Sequence, residues 1–357
     1  MVCNQRIFIG PAFLGLFILL VGSPLFATGW QNPSERYMEA YKAYENAPLP
    51  LQEDEMKHFV YFARDREALV NHSFLSAQRF DGAQIMYSWR QLEGAKGEYD
   101  FSVIEEDLNY LQSRGKGLFL QIQDATFSPQ YVAVPEYLKN AEYDGGVIEQ
   151  REDDGSVEGW VAKRWNPEVR ARFAIFLKAL GERFDGRVEG VNLQESAIGI
   201  SSQYDVSFSS EAYVEGIKAN MKALKEAFPQ STTMQYANFI PGEWLPWEDF
   251  GYLESIYDYG ESIGVGLGAP DLMVRRKGQL NNPLAMMHEK SYTAPLGIAV
   301  QDGNYIGATN SNEVRSQRKN IVPMLHAFAQ DFLKVRYMFW SYQEPYFTED
   351  VLPAFGG

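Results

Sequence analysis

Side-chain amides and carboxylates follow several apolar, β-forming runs of this chain. They occur as the adjacent pairs Gln123-Asp124, Gln194-Glu195 and Gln301-Asp302. A carboxylate can give or take a proton, and a neighbouring amide can hold a hydroxyl group beside it. These pairs therefore suggest acid/base chemistry.

Other kinds of catalysis have little support in the composition. The single cysteine, Cys3, lies close to the N-terminus, and the four histidines show no ligand spacing. We therefore expect no thiolate nucleophile, no metal site and no cofactor. Proton transfer is left to Asp and Glu.

The elements that must position these residues are eight apolar β-type runs. They are HFVYFA (58–63), GAQIMYSW (82–89), GLFLQIQD (117–124), VEGVNLQE (188–195), TTMQYANF (232–239), IGVGLGAP (263–270), LGIAVQD (296–302) and VRYMFWSY (335–342). Amphipathic helical segments separate them, one of which starts with Asn166 as N-cap and Pro167 at its first position. Apolar strands alternating with helices are typical of a parallel sheet covered by helices.

Eight such units predict an α/β fold, a closed (β/α)8 TIM barrel in a single domain over 30–357. A doubly wound open sheet is the alternative, but no glycine-rich phosphate loop follows the first run. The connection over about 125–164 is long enough to fold over the barrel mouth as a lid. A helix is expected over 34–47, where it could cover the end of the barrel left open by the short C-terminal segment.

Residues 1–29 have the composition of a signal peptide, with Arg6 before an apolar run and small residues after it. This predicts a secreted or periplasmic protein with no stable membrane association after cleavage. The net charge of −15 argues against nucleic acid and anionic membranes as partners. We expect a monomer.

In a parallel barrel the C-terminal ends of all strands meet at one mouth. Aromatic residues make up 14% of the chain, and flat rings suit the faces of sugars. Carboxylates with aromatic rings and no cofactor motif point to hydrolysis of glycosidic bonds, with a carbohydrate as partner. The predicted substrate-binding residues are Trp89, Arg90, Gln123, Asp124, Gln194, Asn238, Trp244, Gln301, Trp340 and Tyr342.

Two segments carry a resemblance to a known group. WRQLEGAKGEYDFSVIEEDLNYLQSRG and WNPEVRARFAIFLKALGERFDGRVEGVNLQES resemble parts of the (β/α)8-barrel glycoside hydrolases of the large retaining clan that contains β-galactosidases, cellulases and xylanases. The resemblance covers about 58–200. It implies that Glu195 is the general acid/base, that Gln194 stands where the clan has Asn, that Trp340 stacks on sugar, and that the anomeric configuration is retained.

The sequence offers two candidates for the second catalytic carboxylate. The clan has a nucleophilic Glu at the end of strand seven, whereas this chain has Gln301 and Asp302 there. We take Asp302 as the candidate and Glu344 as its rival. Asp is one methylene shorter than Glu, and a wider gap to Glu195 would suit inversion instead of retention.

Two alternatives remain open. A glycan-binding barrel that has lost its nucleophile would keep the cleft without catalysis. A polysaccharide lyase would need a Tyr or Lys base and a cation for the uronate, for which Tyr87 and Arg90 are available.

Overall fold

Eight parallel strands close into a barrel in the computed structural model, which describes residues 37–244, 248, 250–306 and 321–356. The expected leader at 1–29 lies outside the described residues. The barrel strands are β1 Lys57–Tyr61, β2 Gly82–Ser88, β3 Gly117–Gln123, β4 Gly190–Leu193, β5 Thr232–Tyr236, β6 Gly266–Ala269, β7 Leu296–Val300 and β8 Tyr337–Ser341.

Each strand pairs with its neighbours in sequence, and β1 pairs with both β2 and β8. The last pairing, which includes Val60 opposite Trp340, closes the sheet. The predicted (β/α)8 barrel is therefore confirmed, and the open doubly wound sheet was the wrong alternative.

Helices cover the outside of the barrel. The long ones are α1 Ser102–Gln112, α2 Pro167–Phe184, α3 Ser210–Ala227 and α4 Tyr252–Ile263, and the short ones are Trp89–Leu92, Lys277–Asn281, Pro283–Glu289, Ile321–Ala327 and Leu352–Ala354. Two π-helical turns span Phe328–Leu333 and Phe347–Val351. The start of α2 is as predicted, because the side chain of Asn166 accepts hydrogen bonds from the N–H groups of Glu168 and Val169.

The core has two parts. One fills the barrel and is mostly aromatic, with Phe59, Phe119, Met234, Tyr236, Ala299, Tyr337 and Phe339. The other lies between strands and helices and is larger. Gly190 allows the first part to pack, since a Cβ there would lie 2.6 Å from the ring of Phe119.

The helix expected over 34–47 is wrong for its described part. That part is only a 3-10 turn, Ala40–Tyr44, preceded by Tyr37, whose ring packs on His288 and Phe332. The C-terminal segment packs on the outer face of β8 and β1 instead, because the ring of Phe355 lies edge-on against Trp340 and His58.

The long connection after β3 contains a three-stranded antiparallel sheet, formed by Ala125–Thr126, Val147–Arg151 and Val157–Ala162. We call residues 125–162 the lid. It is attached to the loop after β4, because the N–H of Arg151 donates to the carbonyl oxygen of Gly199 at 2.8 Å. Another short hairpin, Glu93–Ala95 with Glu98–Tyr99, follows β2. Among the described helices, none is long and apolar enough to cross a membrane.

Candidate active site

A cavity of about 520 Å³ lies at the C-terminal ends of the barrel strands. Glutamine side chains make up much of its wall, namely Gln84, Gln121, Gln123, Gln194, Gln301 and Gln343. Aromatic residues complete it, including Tyr61, Phe62, Tyr236, Tyr342 and, from the lid, Phe127. Its charged lining residues are Arg64 and Glu195. The wall is thus mostly neutral and rich in amides.

Glu195 follows β4 and faces this cavity. One of its carboxylate oxygens, Oε2, accepts a hydrogen bond of 2.8 Å from Nδ2 of Asn238, which follows β5. Asn238 is itself held, because its Oδ1 accepts from the N–H of Ala197 at 3.2 Å. The amide nitrogen of Asn238 is therefore aimed at Glu195, and the carboxylate has a defined position.

The pKa of Glu195 is raised from its ordinary value near 4.5 to about 7. Burial is the main cause, because a carboxylate away from water is less stable than the neutral acid. The charge of Asp271 adds to the rise, whereas the hydrogen bond from Asn238 and the charge of Arg164 oppose it. Glu195 can therefore hold a proton near neutral pH.

A buried ion pair supports the backbone of Glu195. The guanidinium group of Arg164 binds both carboxylate oxygens of Asp124, at 2.6 and 2.8 Å. The same group donates to the backbone oxygen of Glu195 and to the hydroxyl of Tyr213, both at 2.8 Å. Asp124 was predicted to bind substrate. Its carboxylate instead binds Arg164, and Asp124 is not among the residues that line the cavity.

Gln194 binds the protein backbone through its side-chain oxygen and also lines the cavity. Its side-chain oxygen accepts from the N–H groups of Asp124 and Ala125, at 3.0 and 2.8 Å. These bonds fix the point where β3 leads into the lid. Because the oxygen is used by the protein, only the amide nitrogen of Gln194 can serve a ligand.

The end of β7 presents an amide to the cavity and not a carboxylate. Gln301 lines the cavity, and its Nε2 donates to Oδ1 of Asp271 at 3.0 Å. Asn304 donates to the same oxygen at 2.9 Å. Asp271 follows Pro270, a cavity residue at the end of β6, so its carboxylate lies beside the wall.

The two carboxylates predicted as partners of Glu195 lie outside the cavity lining. Asp302 is buried, and its N–H donates to the side-chain oxygen of the cavity residue Gln343 at 2.8 Å. Glu344 is exposed and accepts hydrogen bonds from the N–H and hydroxyl of Thr348. Glu344 therefore caps the turn that follows it, and its carboxylate is not part of the cavity lining.

The two tryptophans predicted to bind sugar are core residues. Trp340 is fully buried on the helix side of β8, where its Nε1 donates to Nδ1 of His58. Side chains alternate along a strand, and Phe339 and Ser341 are the ones that face the barrel interior. Trp89 is fully buried against Phe173, and its Nε1 binds a carboxylate in the hairpin after β2.

Two further residues that were predicted to bind substrate lie on the surface. Arg90 is exposed, with Glu136 at 3.8 Å as its ion-pair partner. Trp244 is also exposed and stacks on Phe239. Neither residue lines the cavity.

Of the predicted residues, the structure brings Gln123, Gln194, Glu195, Gln301 and Tyr342 together in the cavity lining, with Asn238 in contact behind Glu195. The prediction missed Tyr61, Arg64, Gln84, Gln121, Tyr236 and Gln343. A signal was available for part of this set, because Gln84 and Gln121 are amides inside otherwise apolar stretches of their strands. Buried side-chain oxygens of Gln84, Gln121 and Gln123 have no hydrogen-bond partner among the described residues. Such oxygens can accept from the hydroxyl groups of a ligand.

A second cluster of polar residues lies away from the cavity. Asp54, His58 and His326 could in principle hold a metal ion, which the histidine spacing had not suggested. Asp54 already accepts hydrogen bonds from Nε2 of His326 at 2.9 Å and from Arg79 at 2.8 Å. The indole N–H of Trp340 donates to Nδ1 of His58, so the proton of this neutral ring is on Nε2, facing Asp54. The donors thus point at the carboxylate, which is the pattern of a structural cluster.

Comparison with solved structures identifies the class of fold. A β-galactosidase from the Antarctic haloarchaeon Halorubrum lacusprofundi is 14% identical, with 81% of this chain and 52% of that chain covered and a TM-score of 0.52. A GH5_18 protein from Streptomyces cattleya, solved with Manb1-4GlcNAc, is 10% identical, with coverage of 80% and 70% and a TM-score of 0.51. A cold-adapted β-galactosidase from Rahnella is 12% identical, with coverage of 82% and 51% and a TM-score of 0.50.

The chain thus spans about half the length of the two β-galactosidases. No protein-family model matches it, and no curated protein does. The likeness establishes the fold, which is the (β/α)8 barrel found in these glycoside hydrolases. The resemblance predicted from sequence is confirmed at this level.

Proposed function

We propose that this chain is an exported, monomeric glycoside hydrolase with Glu195 as the general acid. The observation that carries the proposal is the position of Glu195. Its carboxylate lines an amide-rich cavity at the C-terminal mouth of the barrel and is oriented by Asn238. Active sites of this fold lie at that mouth. The leader-like residues 1–29 support export.

The acid role agrees with the electrostatics of Glu195. A general acid must carry a proton before the leaving glycosidic oxygen departs. A pKa of about 7 keeps about half of the Glu195 side chains protonated at neutral pH and most of them in mildly acidic solution. The amides of the wall suit sugar hydroxyl groups because each can donate and accept.

Hydrolysis is favoured over the lyase reaction. A lyase needs a base, and the pKa of the cavity tyrosine Tyr61 is raised above its ordinary value, mainly by burial. Tyr87, the base considered from sequence, is buried outside the cavity and donates to Asp107 at 2.6 Å. A tyrosine that keeps its proton is a poor base.

The partner of Glu195 is proposed to be Asp302 or Asp271. Asp302 follows β7, where the resemblance expects the nucleophile. Asp271 accepts hydrogen bonds from the cavity residue Gln301 and raises the pKa of Glu195 by its charge. Retention follows from the resemblance, and it requires carboxyl groups about 5–5.5 Å apart in the complex.

A glycoside screen tests the proposed function. The wild type, Glu195→Gln and the surface control Glu98→Gln would be assayed on aryl glycosides and on plant and marine polysaccharides. Loss of a general acid should lower kcat/KM on polysaccharides by about 10²–10⁴-fold. The loss should be smaller on dinitrophenyl glycosides, because that leaving group needs no proton. Equal hydrolysis by wild type and Glu195→Gln would remove Glu195 from the mechanism.

The same assay identifies the second carboxylate. Asp302→Asn and Asp271→Asn would be compared on a dinitrophenyl glycoside, with Glu344→Gln as the control carboxylate outside the cavity. The variant that loses activity even with this leaving group lacks the nucleophile or base. Activity retained in both aspartate variants would rule out both candidates.

A glycan-binding barrel is the second candidate. It is favoured by the cavity lining, in which Glu195 is the one carboxylate among the described residues and Gln301 is the residue that follows β7. This function predicts oligosaccharide binding by calorimetry with no new reducing ends after prolonged incubation. Turnover sensitive to Glu195→Gln would exclude it.

A further inference from the structure

A single arginine lines the cavity. Arg64 follows β1, whereas Glu195 follows β4, so the two charges enter from nearly opposite sides of the eight-stranded barrel. The amides of this cavity can already donate to and accept from neutral hydroxyl groups, and its aromatic rings add apolar surface. The arginine calls for a separate explanation.

The backbone and the lid hold Arg64 in place. Ala63, just before it, has a positive φ of 48°, a conformation that L residues rarely adopt outside functional sites and turns. Ala63 is anchored because its carbonyl oxygen accepts from the N–H of Met86 at 2.8 Å. The guanidinium carbon of Arg64 lies 3.9 Å from the ring centroid of Tyr131, whose hydroxyl donates to Ser88 at 2.8 Å. The planar group is thus stacked on a ring that is itself fixed.

Arg64 lines the cavity and is also exposed to solvent. Within the described ranges no carboxylate forms an ion pair with it, although the chain contains 47 acidic and 32 basic residues. Arg66, two residues further on, shows the usual arrangement, with Asp107 bound at 2.6 and 2.9 Å. Stacking on Tyr131 uses one face of the guanidinium and leaves its N–H edge for an anion.

We propose that Arg64 forms a subsite for an anionic substituent, a carboxylate or a sulfate, of the carbohydrate bound in the cavity. The proposal rests on the proposed function only for the class of ligand. It assigns the substrate to acidic glycans, such as uronic-acid-containing or sulfated chains. The charge would bind the substituent, and the glutamine wall would bind the neutral hydroxyl groups.

Binding calorimetry at low salt tests this subsite. The full chain would carry Glu195→Gln so that ligands are not consumed. The probes would be matched pairs, a glucuronic-acid-substituted xylo-oligosaccharide against the unsubstituted one, and a carrageenan oligosaccharide against its desulfated form. Arg64→Gln should weaken binding of the preferred anionic probe about tenfold or more and change the neutral one less than about twofold. The pair that responds identifies carboxylate or sulfate.

A matched control is Arg114→Gln. Arg114 is exposed and stacks on Tyr110 at 3.6 Å, remote from the cavity, so its loss should leave binding unchanged. Arg64→Lys should recover part of the affinity, because lysine keeps the charge but loses the planar stack.

The inference is overturned if no anionic probe binds, or if Arg64→Gln weakens anionic and neutral probes equally. These results differ from a failure of the proposed function. Hydrolysis of neutral glycans by a wild type that binds no anionic probe would refute the subsite alone. Anionic binding lost with Arg64→Gln, in a wild type without hydrolytic activity, would refute hydrolysis alone.

Discussion

At the scale of single residues, the raised pKa of Glu195 makes the stability of the folded protein depend on pH. Its folded-state pKa of about 7 lies above the ordinary value of 4.5, so the folded protein holds this proton more tightly than the unfolded chain. The resulting stabilisation is fully present below about pH 4.5 and is lost as pH rises through about 7. Above that pH a charge must be kept in a poorly hydrated position.

Glu195→Gln is therefore expected to stabilise the protein at alkaline pH. A neutral amide resembles the protonated acid and has no charge to desolvate. The free energy of unfolding should rise by about 3 kcal/mol at pH 8 and by less than about 1 kcal/mol at pH 5. Guanidinium unfolding at both pH values measures this difference. Glu98→Gln, on the surface, should show no such dependence, and equal effects of Glu195→Gln at both pH values would contradict the pKa assigned here.

Asn238 lowers the pKa of Glu195, which is opposite to the effect of burial. Its hydrogen bond favours the ionised carboxylate, so Asn238→Ala should raise the pKa of Glu195 further, by roughly one unit. The alkaline limb of the pH–rate profile should move upward accordingly. Titration of carboxyl-¹³C glutamate by NMR gives the same quantity without a substrate. A lower or unchanged pKa would mean that Asn238 does not bind the ionised form.

At the scale of elements, the lid depends on close backbone contact with the loop after β4. The N–H of Gly199 donates to the side-chain oxygen of Gln150, and a Cβ on Gly199 would lie 2.2 Å from the carbonyl oxygen of Arg151. This oxygen belongs to the backbone, so it cannot rotate away from an added Cβ as the end of a flexible side chain could. The cavity residue Phe127 is linked to this attachment, because Nε2 of Gln150 donates to the carbonyl oxygen of the preceding residue, Thr126.

Gly199→Val should detach the lid. The overlap should cost about 1–3 kcal/mol and be relieved by movement of Val147–Ala162. Faster hydrogen exchange in that range, with the barrel strands still protected, is the expected signature. Gly94→Ala is the control, because a Cβ there meets open space. Uniformly faster exchange across the barrel would instead show that Gly199 supports the whole fold.

At the scale of the whole molecule, Asp54 joins segments that are distant in sequence. Its carboxylate receives hydrogen bonds from His58 on β1, from Arg79 before β2 and from His326 in the helix after β7. Burial lowers the pKa of His58, which keeps that ring neutral. This cluster ties the base of the barrel together where the strands close.

Asp54→Asn is expected to destabilise the protein by about 3 kcal/mol or more, because buried donors lose a charged acceptor. The exposed neighbour gives the control, Glu53→Gln, which should be neutral. Unfolding in guanidinium measures both. Since the cluster is structural, EDTA should leave the Tm of the wild type unchanged, and a lowered Tm would reveal a bound metal.

Much of this architecture was readable from local pattern. The eight apolar runs and the helices between them determined the barrel, because the spacing of apolar residues reflects each element directly. The position of Glu195 at the end of a run determined that it would face the mouth, since strand ends converge in any closed parallel barrel. Gln123 and Gln301 were predicted on the same ground.

The tertiary structure alone decided which side chains face inward. Strands buried on both sides show no polar face, so Trp340 could not be distinguished from its neighbour Phe339 before the pairing of β8 with β1 was known. Likewise, only the packing of the lid could bring Tyr131 beneath Arg64, because these residues are far apart in the chain. Local sequence specifies the strands and helices. The direction in which each side chain faces, and its contacts with residues distant in sequence, depend on how these elements close around one another.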